Sequence, residues 1–285
     1  MKSQREYSKT FSFELFPPKT DAGFEKLQNN VRALAEVGPR FFSVTYGAGG
    51  STQERTFETV SWLRSKGIAT APHLSCIGSS REHVREILNH YAAENIQRIV
   101  ALRGDMPSGM GEAGEFRYAS ELVEFIRKET GDRFKIEVAA YPEFHPQAST
   151  AEIDLRNFKR KVDAGANGAI TQYFYNPDAY FQFVESCEQL GITLPIVPGI
   201  MPINNYSQLA RFSDACGAEI PRWIRRRLQS FADDIESIRA FGIEVVTALC
   251  EHLLDQGAPG LHFYTMNQAG PTLKIWKNLG LSKTE

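Results

Sequence analysis

Cysteine is scarce in this 285-residue chain, and Cys76, Cys187, Cys216 and Cys250 are too far apart for any C-x-x-C pair. That spacing excludes a zinc ribbon and a disulfide framework, leaving reduced thiols in a cytoplasm as the expectation. No apolar run approaches the roughly 20 residues a bilayer span needs. The polar opening from Met1 to Glu6 lacks the apolar stretch of a signal peptide. Neither sign of charge dominates: 32 Lys and Arg against 34 Asp and Glu leave a formal net charge of -2. Bulk attraction to nucleic acid or to anionic membranes is therefore not expected. H-E-x-x-H is missing, and no second histidine stands at ligand spacing from His73, which argues against a metal. There is no G-x-S-x-G elbow. Apart from Lys19, beyond Pro17-Pro18, no lysine falls at a predicted strand end, so a Schiff-base aldolase has no obvious nucleophile. A Ser/Gly-rich linker is also lacking, so one domain over 1–285 is expected.

What the chain does have is a rhythm. Strand-like runs occur at Phe11–Phe16, Phe41–Tyr46, Thr70–Cys76, Ile96–Leu102, Lys135–Ala140, Ala169–Tyr175, Pro195–Ile200 and Gly260–Met266. Amphipathic helical patterns separate them, as at Gly23–Val37, Thr52–Lys66, Arg81–Glu94, Ala119–Lys128, Ala151–Ala164 and Asp178–Leu190. Strand–helix alternation implies parallel strands with helices outside. Eight such strands in one α/β domain point to a closed (β/α)8 TIM barrel, with an open doubly wound sheet as the alternative. Leu209–Leu254 holds more than one helix, so extra helices precede the last strand.

In a parallel barrel, the side chains at the C-terminal strand ends converge on one site. Read in order, those ends are Glu14, Thr45-Tyr46-Gly47, His73, Arg103-Gly104-Asp105, Tyr141-Pro142-Glu143, Gln172-Tyr173, Pro198-Gly199 and Tyr264 to Gln268. Glu14 stands out because it lies among apolar neighbours in Phe11-Ser12-Phe13-Glu14-Leu15-Phe16, just before a diproline. Low-dielectric surroundings would raise its pKa and suit a general acid; the alternative is a Glu paired with a nearby Arg or Lys. His73 could be a base, a ligand or a core histidine.

Three further motifs weigh differently. Gly109-Met110-Gly111-Glu112-Ala113-Gly114 is a literal G-x-G-x-x-G, but Asp105 to Ser108 separate it from the strand. Glu112 and Glu115 would repel a pyrophosphate, so a glycine loop over the barrel mouth is the better reading. Arg222-Trp223-Ile224-Arg225-Arg226-Arg227 reads as a solvated helix face. Asp154, Asn157 and Lys161 recur at i, i+3 and i+7 and so share one helix face. That stripe suits ribose and phosphate, or else is an exposed charged face.

Taken together, the motifs resemble the 5,10-methylenetetrahydrofolate reductase family, in its bacterial, catalytic-domain-only form. The carriers are Ser12 to Pro18, Ser43 to Ala48, Ala71 to Leu74, Ala101 to Asp105, Ala139 to Glu143, Lys161 to Ala166, Ile170 to Gln172 and His262 to Thr265. The likeness runs essentially the whole length. It implies a (β/α)8 barrel with FAD at the strands' C-terminal ends and NADH or NADPH as hydride donor. It also implies a ping-pong reduction of 5,10-methylenetetrahydrofolate to 5-methyltetrahydrofolate, supplying methionine synthesis.

By the same resemblance, Glu14 is the general acid and Asp105 the acid beside flavin and pterin. Gln172, Gln208, Phe212 and Gln268 would meet substrate, although Gln268 stands where some relatives carry an Arg. The cofactor would contact Thr45, Tyr46, His73, Arg103, Gly104, Asp105, Tyr118, Ala140, Tyr141, His145, Ala148, Asp154, Asn157, Arg160 and Lys161. A homo-oligomer is implied, and no C-terminal regulatory domain is expected. The rival readings are a flavin-free folate-dependent methyltransferase and a non-catalytic folate-binding protein.

Overall fold

β1 (Thr10–Leu15) sets the pattern that the later strands repeat. Side chains alternate across a strand. Phe13 accordingly packs edge-on against Trp276, ring centroids 5.8 Å apart, while Ser12 and Glu14 turn to the opposite face. The computed structural model describes residues 1–46, 50–105 and 114–281. The expected glycine loop falls largely outside them, from Gly109 to Ala113.

After β1 come α1 (Asp21–Ala35), β2 (Phe41–Val44), α2 (Gly50–Ser65), β3 (Thr70–Ser75), α3 (Arg81–Ala93), β4 (Arg98–Leu102), α4 (Ala119–Thr130) and β5 (Lys135–Ala140). The second half holds α5 (Ala151–Asp163), β6 (Gly168–Thr171), α6 (Pro177–Gln189), β7 (Ile196–Val197), β8 (Gly199–Ile200), α7 (Tyr206–Cys216), α8 (Arg222–Ser230), α9 (Ile235–Asp255), β9 (Gly260–Tyr264) and α10 (Ala269–Asn278). Helix starts are locally encoded. Thr20, Ser80, Thr150, Asn205 and Asp234 each accept a hydrogen bond from the backbone N–H three residues on. Such caps contribute about 1 kcal/mol apiece.

Every strand pairing is parallel, in the order β7-β6-β5-β4-β3-β2-β1-β9-β8. β7 and β8 are two halves of one expected strand, separated by Pro198, which has no N–H to offer a ladder. One half pairs with β6 and the other with β9, so the ring closes as a barrel. Gly199 is required at this seam, because a Cβ there would lie 2.1 Å from the Thr171 carbonyl oxygen. Two apolar clusters result. The large one lies between strands and helices; the small one, Phe41, Ala71, Val100 and Ile170 with Leu102, fills the barrel interior.

The closed barrel and the helices ahead of β9 match the expectation from sequence. The run expected as a strand over Ala169–Tyr175 leaves the sheet at Thr171. Tyr173 and Tyr175 turn instead toward the α7 side, where their hydroxyls meet Ser213 Oγ at 3.0 Å and the Met201 carbonyl at 3.1 Å. Buried aromatics read as strand, but these rings pack over the barrel top. On α8, Ile224 and Leu228 are buried while Arg226 and Arg227 are exposed, a solvated face.

Candidate functional site

The strands' C-terminal ends border a cleft with two lobes. The first, about 310 Å³, is lined by Arg103, Gly104, Asp105, Tyr118, Tyr141, His145 and Ala148, and by Asp154, Asn157, Arg160 and Lys161 of α5. The second, about 460 Å³, is lined by Glu14, His73, Asp105, Gln172, Tyr173, Phe212, Cys216, Tyr264 and Met266, among others. Asp105, Tyr141 and His145 border both lobes, so the two communicate.

The stripe on α5 exists because Thr150 caps that helix and Phe158 is buried on its other side, leaving Asp154, Asn157 and Lys161 on the lobe. Lys161 Nζ donates to the Ala139 carbonyl at 2.6 Å. Burial pushes its pKa down to about 8, with the Asp154 charge pulling the other way. Asp154 accepts the His145 backbone N–H at 3.0 Å, and Arg160 donates to Asn157 at 3.1 Å. Arg103 reaches Gln147 Oε1 at 2.6 Å. Burial pushes the Tyr141 phenol up to about 12, and the Asp105 charge adds to that. This donor set, with Arg103, Arg160 and Lys161 as cations and Asp154 as a hydroxyl acceptor, fits an extended anionic nucleotide such as FAD.

Gly104 is glycine for a reason internal to the barrel. Its φ is +85°, and a Cβ would lie 1.9 Å from Ser75 Oγ and 3.0 Å from Ile77. The missing side chain therefore faces the neighbouring strand.

Glu14 reaches the second lobe with its side chain 19% exposed. Its surroundings correct the sequence-based expectation. Two imidazoles flank it instead of apolar groups: His73 Nε2 at 3.4 Å and His262 Nε2 at 3.6 Å. Burial pushes the carboxyl up, but hydrogen bonding and charge from His262 and His73 outweigh it and hold the group at about 2. At neutral pH Glu14 is thus a carboxylate. Among the described residues, no arginine or lysine forms an ion pair with it.

Several expected contacts fall outside both linings. Ala140 is buried, and its carbonyl accepts the Gln172 N–H at 2.7 Å. Thr45 donates its N–H to the Leu15 carbonyl, and burial pushes the Tyr46 phenol up to about 12. Both border 47–49, which lie outside the described residues. Gln208 stands in the first turn of α7, one turn before Phe212. Gln268 stands at the residue before α10, with no side-chain capping hydrogen bond, and Met266 lines the lobe. Sequence reasoning missed His262. The available signal was its position two residues before Tyr264 in a strand, which puts both on one face. No group of three or more His, Cys, Asp or Glu among the described residues is arranged to hold a metal ion.

Comparison with known proteins gives this arrangement a family. The model for methylenetetrahydrofolate reductase matches residues 1–280. The chain is 41% identical over 271 residues to 5,10-methylenetetrahydrofolate reductase of Escherichia coli strain K12, covering 95% of this chain and 90% of that one. It is 42% identical over 285 residues to a probable methylenetetrahydrofolate reductase (NADH) of Oryza sativa subsp. japonica, covering 95% of this chain and 48% of that protein. A Clostridium thermocellum structure described as binding two copies of 5-methyl-5,6,7,8-tetrahydrofolic acid superposes with a TM-score of 0.69 at 16% identity, over 99% of this chain and 96% of that one; this shows the shared fold. By the family model and these identities, the chain belongs to the methylenetetrahydrofolate reductase family.

Proposed function

We propose that this chain reduces 5,10-methylenetetrahydrofolate to 5-methyltetrahydrofolate, using FAD in the first lobe and NADH or NADPH as donor. The observation that carries the reading is the placement of Asp105 between a cation-rich lobe and one floored by Glu14. FAD bound there would supply hydride chemistry, accepting from the nicotinamide and returning to the folate in turn. Arg103, Arg160, Lys161 and Asn157 would hold its phosphates, and Asp154 would accept from a ribose hydroxyl. Phe212 offers an aromatic face to the pterin or nicotinamide, and Gln172 an amide.

The chemical problem is that the bridging methylene accepts hydride only after its five-membered ring opens to an iminium. Protonating the departing nitrogen drives that opening. Glu14 is the acid placed to deliver that proton, since it lines the lobe with His73 and His262 beside its carboxylate. A pterin that covers Glu14 excludes water, which pushes the carboxyl's pKa up from its depressed value and lets it take up a proton and pass it to the substrate. Asp105 stabilises the cation that results. The product supplies methyl groups for methionine synthesis, and the enzyme works in the cytoplasm as a homo-oligomer.

The test is anaerobic. NADH or NADPH should bleach the flavin of the purified protein, and methylenetetrahydrofolate should restore its colour. A protein that neither contains nor binds FAD overturns the proposal.

A further inference from the structure

We infer that Asn267, in the turn after β9, is a positioning residue that clamps the end of β1 and so aims Glu14 at the substrate; this rests on the folate-reducing role given to Glu14 above. Among the described residues, the ionisable partners of the Glu14 carboxylate are His73 at 3.4 Å and His262 at 3.6 Å. Both are longer than the roughly 2.7–2.9 Å of a tight charge-assisted hydrogen bond, so they leave its placement to the backbone. The β1–β9 ladder ends where Glu14 pairs with Tyr264. Pro17 and Pro18 follow almost at once and have no N–H to donate. The Phe16 side chain is 41% exposed and adds little anchorage. Beyond the ladder, the Asn267 side chain takes the place of a strand partner. Its Oδ1 accepts the Phe16 N–H at 3.0 Å, and its Nδ2 donates to the Phe16 carbonyl at 2.8 Å. Thr265 adds a second tie: its hydroxyl donates to the Glu14 carbonyl at 2.6 Å and accepts the Asn267 N–H at 3.2 Å. On the other flank, the Leu15 carbonyl accepts the Thr45 N–H at 2.9 Å. Every carbonyl from Glu14 to Phe16 is thereby held.

The turn itself is costly, and the clamp gives a reason for the cost. Met266 and Asn267 have φ of +51° and +54°, and the Gln268 N–H closes the turn on the Thr265 carbonyl at 2.9 Å. Asparagine tolerates left-handed backbone, but methionine gains nothing from it. Such residues persist only where the surrounding structure compensates, and they gather at functional sites. Here the bonds to Phe16 and Glu14 compensate. The same turn sets Met266 against the second lobe, which Glu14 also lines. Losing the clamp frees the Phe16 backbone and lets the Glu14 carboxylate drift. A catalytic group misplaced by about 1 Å can lose about 10²-fold in rate. Flavin reduction by the nicotinamide does not call on Glu14, so only the folate half-reaction depends on the clamp.

Asn267→Gly separates the clamp from the turn, because glycine adopts positive φ freely and only the side-chain bonds are lost. In anaerobic half-reactions of the FAD-loaded protein, recolouring at saturating methylenetetrahydrofolate should slow roughly tenfold. The folate concentration giving half the maximal rate should stay where it was, and nicotinamide bleaching should keep its rate. A merely structural residue would lower both half-reactions together. Amide hydrogen exchange of the ligand-free protein gives a readout independent of turnover: the Phe16 N–H should be protected, and should exchange faster in Asn267→Gly. Unchanged recolouring, or equal slowing of both half-reactions, overturns the inference. So does a Phe16 N–H that exchanges as fast in the unmodified chain as in the variant. Should Asn267→Gly fail to fold, Asn267→Asp carries the same comparison, since it keeps the bond from the Phe16 N–H and loses the one to its carbonyl. Failure of the unmodified chain to reduce folate would instead sink the function proposed above, leaving the exchange result to decide the clamp.

Discussion

His73 on β3 and Glu14 on β1 meet inside the barrel, Nε2 standing 3.4 Å from the carboxylate. Strand β2 separates them in the sheet, so only the inward curl of a closed barrel brings the two together. With His262 on the other side, the contact places what reads in sequence as an acid in an apolar strand between two imidazoles.

Replacing Glu14 by Gln should separate the two half-reactions. Nicotinamide-dependent bleaching of the flavin should persist, whereas folate-dependent recolouring should slow by roughly 10²–10⁴-fold. Stopped-flow absorbance of each half-reaction measures this directly. Equal damage to both would remove Glu14 from the role of acid.

The same carboxylate should leave a mark on stability. Its folded value, about 2, lies below the ordinary 4.5, so it favours the folded chain above about pH 4.5 and loses that contribution as pH falls through about 2. Denaturant melts of Glu14→Gln should show a flatter loss of stability across that window than the unmodified chain. Parallel curves would contradict the depressed value.

Lys161 ties cofactor affinity to alkaline pH. Burial holds its pKa near about 8, so phosphate binding that needs the ammonium should weaken as pH rises through that value. Lys161→Met should bind FAD more weakly at pH 7, by about 1.5–3 kcal/mol for a lost charged hydrogen bond. It should also lose the pH dependence. Fluorescence titration of the flavin reports both effects.

Below the reactive layer, Arg98 pairs with Glu137, and its guanidinium sits 4.7 Å over the Phe41 ring. Their side chains are 19% and 8% exposed, so losing one partner strands a buried charge. Glu137→Gln or Arg98→Met should each cost about 3–5 kcal/mol, whereas replacing both by apolar residues should cost less than the two single changes together. A double-mutant cycle of denaturant melts checks this; additive losses would mean that the pair is not coupled.

Much of the molecule was legible in the chain itself. The alternation of Val-, Ile- and Phe-rich runs with amphipathic helices determines a parallel barrel, because strand and helix periods differ and each buries one face. The spacing of Asp154, Asn157 and Lys161 determines that they share a helix face. Tertiary structure alone decided what those side chains meet. Whether the α5 stripe faced solvent or a cleft depended on how the helix is rotated against β5 and β6, which local periodicity does not encode. His262 joined Glu14 only through the register of two strands about 250 residues apart in sequence. The state of Glu14 followed from that pairing: its neighbours in the chain are apolar, its neighbours in space are two imidazoles, and pKa responds to distance in space.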